Sequence, residues 1–247
     1  MAFVEEKKAT NQNLADRLNL RIPDIKIFLN HYLTPEITYK DDGSPVTKLD
    51  LALSRLVEEV MTEHYPHFNF YSEENFTEWK FPLVAVDPLD GTREYIAGRP
   101  EWAISVGLFQ NENFEGEGWI CNPVTNEIYS RGLKHEFPSQ NNYCGEVSRS
   151  EWEKGLFKNV SAEKFKITPM GSIAYKLGRL SQRKVDFVVS LRPKNIWDIA
   201  GGTLLVKQAG MRFYSQGKEV TTVKQLYQSP LIWCHPSIFP ELSKLFP

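Results

Sequence analysis

The stretch Phe81–Thr92 reads FPLVAVDPLDGT. Its first six residues are an apolar run closed by turn chemistry, which predicts a buried strand ending at Asp87. Asp87-Pro88 and Asp90-Gly91 are turn dipeptides, and Gly91-Thr92 opens a predicted helix. Two carboxylates three residues apart, at the mouth of a buried strand, can face one space together with the carbonyl of Leu89. The amides of Gly91 and Thr92, at a helix start, suit an anion through hydrogen bonds and the helix dipole. Carboxylates and a phosphate repel one another unless a divalent cation lies between them. Hard oxygen donors of this kind suit Mg²⁺.

Other acids stand at predicted element ends on either side. Upstream are Asp50 in GSPVTKLD and Glu73-Glu74 in YSEEN, and downstream is Asp198 in NIWDIAGG. Each also has a structural reading. Thr47 to Asp50 fits a helix capping box, and taken alone that reading comes first. Glu73 and Glu74 fit a solvated strand end, and Asp198 fits a helix N-cap beside a core tryptophan, Trp197. Four such clusters in one chain favour joint chemistry over four separate accidents.

The flanking sequence predicts alternating elements. One or two helices are expected over Ala9–Leu33, broken at Pro23, then a turn-rich loop over Lys40–Pro45. An amphipathic helix follows, with Leu49, Leu53, Leu56, Val57, Val60 and Met61 on one stripe. Strands are expected at Phe68–Tyr71, Trp102–Phe109, Gly118–Cys121 and Glu127–Tyr129, most of them antiparallel. The polar segment from Gly132 to Ser161 gives no assignment. Beyond it come a helix at Ile173–Leu180, a strand at Val185–Ser190 and a helix at Asp198–Ala209 closed by Gly210. Strands at Met211–Tyr214 and Leu231–Cys234 complete the set. This pattern predicts a layered α/β (α+β) protein. The seam is placed near residue 133, with a half over 1–132 carrying most of the acids and a half over 133–247 completing the site.

Composition narrows the rest. The 247 residues suffice for a sizeable core, and 41% hydrophobic with 24% charged residues excludes wholesale disorder. A net charge of −2 argues against a protein that wraps a nucleic acid polymer. Three widely spaced cysteines without a C-x-x-C favour reduced thiols and a cytoplasmic setting. No signal peptide or run of 18 apolar residues is present, so no integral membrane association is expected. Phosphate-loop, dinucleotide, nucleophile-elbow and H-E-x-x-H motifs are all lacking.

GSPVTKLD, SEEN, VDPLDGTREYI, PEWAISVGLF, GSIAYKLGRL and NIWDIAGGTLLVKQAG together resemble the inositol monophosphatase superfamily of lithium-sensitive, Mg²⁺-dependent phosphatases. GTREYI, GSIAYK and RPKNIWD are most similar to its CysQ branch of 3′(2′),5′-bisphosphate nucleotidases. The resemblance implies an αβαβα sandwich with its site between the two halves. It implies two or three Mg²⁺ ions on Glu73, Asp87, the carbonyl of Leu89, Asp90 and Asp198, with Li⁺ as inhibitor. It gives Asp50 and Thr92 the task of holding and activating a water, with Glu74 close by, and the Gly91 and Thr92 amides that of cradling phosphate. Ser172, Lys176, Arg192 and Lys194 are substrate-contact candidates. For Lys176, a contact to a second phosphate and a solvated helix face stand level. Arg93 reads equally as an anion contact or an exposed salt bridge. Gly201-Gly202 stands where the superfamily carries Ala-Ala or Ala-Gly. The expected activity is hydrolysis of the 3′-phosphate of adenosine 3′,5′-bisphosphate (PAP). The alternatives are inositol-1-phosphate as substrate, or a phosphate-binding protein with a decayed site. A homodimer is a further possibility that the resemblance carries.

Overall fold

The structure, a computed structural model, describes residues 13–41, 43–75, 78–134, 136–137, 142–158, 160 and 163–246. Helices α1 (Leu14–Asn19) and α2 (Ile22–His31) lead into a hairpin, β1 (Ile37–Tyr39) and β2 (Pro45–Thr47), and the long helix α3 (Lys48–His64). Next come β3 (Asn69–Ser72), β4 (Leu83–Asp90), the short helix α4 (Thr92–Ile96), β5 (Ala103–Phe109), β6 (Gly116–Asn122) and β7 (Glu127–Tyr129). They are followed by β8 (Tyr143–Ser148), α5 (Arg149–Glu153), β9 (Phe165–Met170), α6 (Ile173–Ser181), β10 (Phe187–Ser190), β11 (Lys194–Asn195) and α7 (Ile196–Gln208). The last are β12 (Arg212–Ser215), β13 (Lys218–Glu219), β14 (Leu226–Tyr227), β15 (Leu231–Cys234) and α8 (Phe239–Leu242).

The larger elements stack in five layers. The first sheet runs β3-β4-β5-β6-β7, with β3 parallel to β4 and the remaining pairs antiparallel. Alternation along β4 sends Val84 and Val86 to one face and Leu83 and Ala85 to the other. The first pair packs with Leu49, Leu53, Leu56 and Val57 of α3. Every residue of the predicted α3 stripe is buried. The second pair packs with Leu177 and Leu180 of α6 and Ala200 and Leu204 of α7. That same cluster takes in Val188, Phe213 and Trp233 of the second sheet, whose order is β13-β12-β15-β10-β8-β9. The outer face of this sheet carries Val147, Phe187, Val189 and Ile232 against Phe157, Ile238 and Leu242. The arrangement is the expected αβαβα sandwich. Among the described residues no helix is long and apolar enough to cross a membrane.

Helix α7 lies unusually close to the first sheet because small residues meet there. A Cβ on Gly107 of β5 would stand 2.5 Å from the Cβ of Ala200, and one on Gly118 of β6 would stand 2.3 Å from the Gly201 carbonyl oxygen. Gly202 faces α6, where a Cβ would come within 2.4 Å of Leu177 Cβ. The paired glycines of α7 are thus packing surfaces toward two different layers.

Several expectations need correction. Pro23 does not break the N-terminal helices: it sits in the first turn of α2, where its missing N–H is no loss. The break falls instead between Asn19 and Ile22. Residues 9–12 of the predicted helical segment lie outside the described residues, as do Asp42 of the Lys40–Pro45 loop and part of the polar segment after Gly132. That segment supplies β8 and α5, which periodicity missed because β8 interleaves Gly145 and Glu146 with its apolar residues. β9 escaped notice for a related reason. It is an edge strand, half-buried, with Pro169 near its end. Helix α7 begins at Ile196 rather than Asp198, so Asn195 is the N-cap and Asp198 lies inside the first turn. Gly210 follows the helix at φ +84° as predicted.

Candidate active site

Strand β4 ends where three helices begin. The starts of α4, α6 and α7 and the end of β3 surround the carboxyl end of β4 with a cleft of about 240 Å³. Its acidic side is formed by Glu73, Asp87, Asp90 and Asp198, and the Leu89 backbone lines it too. Arg149, Lys176, Lys194, Ser148, Ser150 and Ser190 line it as well.

The DPLDGT turn is built as a strand irregularity. Pairing of β4 with β5 slips between Asp87 and Asp90. The Leu89 amide donates to Asp87 Oδ1 at 2.9 Å, which fixes the carboxylate over the turn. Gly91 then adopts φ +101°, and a Cβ there would press to 3.1 Å from Trp102 Cβ and 3.2 Å from the Glu101 carbonyl oxygen. Conformation and space together require glycine at this position.

Asp50 combines both readings open to it. The Thr47 amide donates to Asp50 Oδ2 at 2.8 Å, and the Asp50 amide donates back to Thr47 Oγ1 at 3.4 Å, closing a capping box at the start of α3. The other oxygen, Oδ1, accepts from Thr92 Oγ1 at 3.1 Å. The Leu89 carbonyl lies 3.1 Å from the same hydroxyl, so Thr92 has two acceptors for one proton. Its lone pairs remain available to accept from a water.

Asp90 ties the two sides of the cleft together. Its Oδ2 accepts from Ser172 Oγ at 2.5 Å and from the Ala174 amide at 2.6 Å, both at the start of α6. Lys40, from the end of β1, donates to Glu73 Oε1 at 2.8 Å and Glu74 Oε1 at 2.7 Å. Arg149 at the start of α5 reaches Glu101 at 2.5 Å and Glu94 at 3.6 Å.

Burial first, and neighbouring negative charge second, raise the proton affinity of four of these acids, Asp50, Glu73, Asp87 and Asp198. Burial lifts Asp87 well above the ordinary carboxylate range, and Glu73, Asp90 and Asp198 lift it further. Asp198 is pushed up to about 7 by burial, with Lys194 opposing and Asp90 and Glu73 adding. Burial raises Glu73 as well, against the pull of Lys40, and Asp50 against its hydrogen bonds to Thr47 and Thr92. Among the described residues no three acidic, histidine or thiol groups are already drawn together as an ion cage. Glu73 is instead drawn toward Lys40, and Asp90 is anchored through one oxygen at the start of α6. The donor set nonetheless fits Mg²⁺. All its members are hard oxygens, and a cation among them relieves the repulsion that raises Asp87 and Asp198.

The cationic residues fall into three kinds. Lys194 and Arg93 line the cleft, and among the described residues neither side chain has a hydrogen-bond or ion-pair partner. Arg93 therefore makes no exposed salt bridge there. Lys176 is only 1% exposed, so it lies on no solvated helix face. Its Nζ donates to the carbonyls of Met170 (3.0 Å) and Gly171 (3.1 Å), and burial brings its pKa down to about 8. Arg192 is exposed and does not line the cleft, because the chain turns it outward before β11. Lys40, Glu94, Glu101 and Arg149 belong to the site region without any motif to mark them. Their contacts join residues up to 70 positions apart, and Arg149 falls in the polar segment that gave no assignment.

Comparison with known proteins accords with this geometry. The model of the inositol monophosphatase family matches residues 24–236. A fructose-1,6-bisphosphatase/inositol-1-monophosphatase of Thermotoga maritima is 29% identical over 178 residues, 67% of this chain and 69% of that protein. The 3′(2′),5′-bisphosphate nucleotidase CysQ of Haemophilus influenzae is 25% identical over 221 residues, 76% of this chain and 78% of that one. The solved structure of a Thermotoga maritima IMPase superposes with a TM-score of 0.77 at 25% identity, covering 93% of this chain and 96% of the other. With a matching model across most of its length and the same overall fold, the chain belongs to the inositol monophosphatase family of metal-dependent phosphomonoesterases.

Proposed function

We propose that this chain is a Mg²⁺-dependent phosphatase of the cytoplasm that removes the 3′-phosphate of PAP or a closely similar bisphosphate. The observation that carries the substrate class is that Arg93 and Lys194, whose side chains make no hydrogen bond or ion pair among the described residues, line the same small cleft as the acids. Lys194 also lies close enough to Asp198 to attract it, and a second anionic group on the substrate gives both cations a direct contact. Similarity to CysQ supports the same reading.

Glu73, Asp87, the Leu89 carbonyl, Asp90 and Asp198 would hold the metal. Mg²⁺, when bound, neutralises growing negative charge and makes water easier to deprotonate. The attacking water gives a proton to Thr92 Oγ1 as Thr92 gives its own hydroxyl proton to Asp50 Oδ1, 3.1 Å away; the bond from phosphorus to the leaving oxygen breaks as the new one forms, and that oxygen takes a proton from solvent water. The capping contacts from Thr47 hold Asp50 still during this exchange. Glu74 lies one residue from Glu73 and shares Lys40 with it. The Gly91 and Thr92 amides and Ser172 border the space for the scissile phosphate. No covalent nucleophile is needed.

A second reading, inositol-1-phosphate as substrate, is favoured by the 29% identity to the Thermotoga maritima protein whose name includes inositol-1-monophosphatase. A decayed binding protein is disfavoured by the complete acid set and the intact Thr92–Asp50 contact. The deciding experiment is phosphate release from PAP and inositol-1-phosphate, with and without Mg²⁺ and with added Li⁺, for the wild type and Arg93→Ala. The proposal expects Mg²⁺-dependent, Li⁺-inhibited turnover that prefers PAP, with Arg93→Ala raising KM for PAP alone. Preference for inositol-1-phosphate would overturn the substrate and keep the chemistry.

A further inference from the structure

Lys176 is buried, charged and close to the site, yet its donors are aimed at the protein's own backbone. Its Nζ reaches back from the first turn of α6 to the carbonyls of Met170 and Gly171, at 3.0 and 3.1 Å. These residues form the corner between β9 and α6. The same corner is held from the other side by Glu101, whose Oε2 accepts from the Gly171 amide at 2.8 Å. Gly171 has no room for a side chain, since a Cβ would lie 2.3 Å from Glu94 Cγ and 2.7 Å from the Glu101 carbonyl oxygen.

The next residue, Ser172, is forced into an uncommon backbone conformation, φ +47° and ψ 114°. Side-chain-bearing residues persist in such regions only where the surroundings hold them there. From this conformation the Ser172 hydroxyl accepts from the Tyr175 amide at 2.9 Å and donates to Asp90 Oδ2 at 2.5 Å. The Ala174 amide completes the grip on that oxygen at 2.6 Å. One oxygen of Asp90 is thereby fully occupied at the start of α6, and among the described residues no hydrogen-bond donor claims the other.

We propose that Lys176 is a positioning residue: by fastening the Met170–Ser172 corner it lets Ser172 and Ala174 fix Asp90 Oδ2, so that Oδ1 is presented to the metal. The inference rests on Asp90 as a metal ligand, and it separates Lys176 from recognition of a second phosphate. Partners that orient a metal ligand typically carry 10–100-fold in metal affinity or activity.

The experiment is Mn²⁺ binding to the metal-free full-length protein, followed by electron paramagnetic resonance without substrate, for Asp90→Asn, Ser172→Ala, Lys176→Met and the last two combined. Circular dichroism establishes that each variant is folded. About a tenfold loss of affinity is expected for Lys176→Met and for Ser172→Ala. The double variant is expected to lose little more than the worse single one, because both break one chain of contacts. Turnover of PAP and inositol-1-phosphate by Lys176→Met should fall by the same factor. Wild-type Mn²⁺ affinity in folded Lys176→Met, together with a raised KM for PAP alone, would overturn the positioning role while leaving Asp90 as a ligand. Unchanged affinity in Asp90→Asn would overturn the ligand reading and this inference with it.

Discussion

Gly107→Ala tests whether the close approach of α7 to β5 sets the position of Asp198. The added Cβ would sit 2.5 Å from Ala200 Cβ, 2.8 Å from the Ala200 carbonyl carbon and 2.9 Å from the Gly201 amide nitrogen. Two of these neighbours are backbone atoms in the middle of a helix, so no side-chain rotation relieves the overlap. Ordinary contact begins near 3.4 Å, so the helix must lift by about 0.9 Å. Overpacking of this kind costs about 1–3 kcal/mol. For a chain of this length each kcal/mol lowers Tm by about 2–4 °C. Asp198 rides on the first turn of the same helix and moves with it. Displacements near 1 Å at a reacting centre can cost about 100-fold in rate. Differential scanning calorimetry should therefore show a Tm lower by roughly 5 °C, and kcat/KM for the accepted phosphomonoester should fall by at least about tenfold. Adding Ala200→Gly removes only the nearest of the three contacts and should restore part of the loss. A variant with unchanged Tm and kcat/KM within about threefold of the wild type would refute the reasoning.

Three further outcomes follow from other contacts. Lys176 releases its proton near pH 8 when folded and near 10.5 when unfolded, so between those values the unfolded chain binds more protons and stability must rise with pH. Urea unfolding should show a gain of up to about 3 kcal/mol across that window, and Lys176→Met should lack it; parallel pH profiles would count against the burial argument. Cys144 is exposed while Cys121 and Cys234 are buried, with burial pushing the Cys121 thiol up to about 12 and Cys234 up as well. Ellman's reagent should thus titrate one thiol in the native protein and three in guanidinium; two fast native thiols would contradict the packing. Lys40 spans Glu73 and Glu74, so Lys40→Ala should tighten Mn²⁺ binding about threefold, the scale of a partly exposed ion pair; weaker binding in calorimetry would show that the lysine assists the metal instead.

Much of this architecture is legible along the chain, and the exceptions have physical reasons. The apolar run before Asp87 and the stripe from Leu49 to Met61 announce themselves because each buries a face whose period is set locally. The acids are legible too, since DPLDGT is a short-range turn and Asp198 sits a fixed distance into its helix. Of the two readings open for Lys176, the solvated helix face fails because α6 is covered by α7 on one side and by strands on others, so the position is interior. Arg192, near the Trp-Asp motif in sequence, is exposed and lies outside the cleft lining, because proximity along the chain does not fix where a loop side chain points. The ties from Arg149 to Glu94 and Glu101, and from Lys40 to Glu73, are long-range charge pairings, which no local periodicity records. β8 and β9 hid because one carries Gly145 and Glu146 and the other is a half-buried edge strand.

The shared middle layer has a consequence for how the chain is made. Leu83 and Ala85 face α6 and α7, whose residues are synthesised roughly a hundred positions later. At about 5–20 residues per second, a ribosome leaves that apolar face of the first sheet uncovered for about 5–20 s. During that interval the nascent chain presents a broad sticky surface while its opposite face is already closed by α3. The time of greatest aggregation risk is thus written into the order of the layers, and it ends only when Leu204 has emerged and folded back.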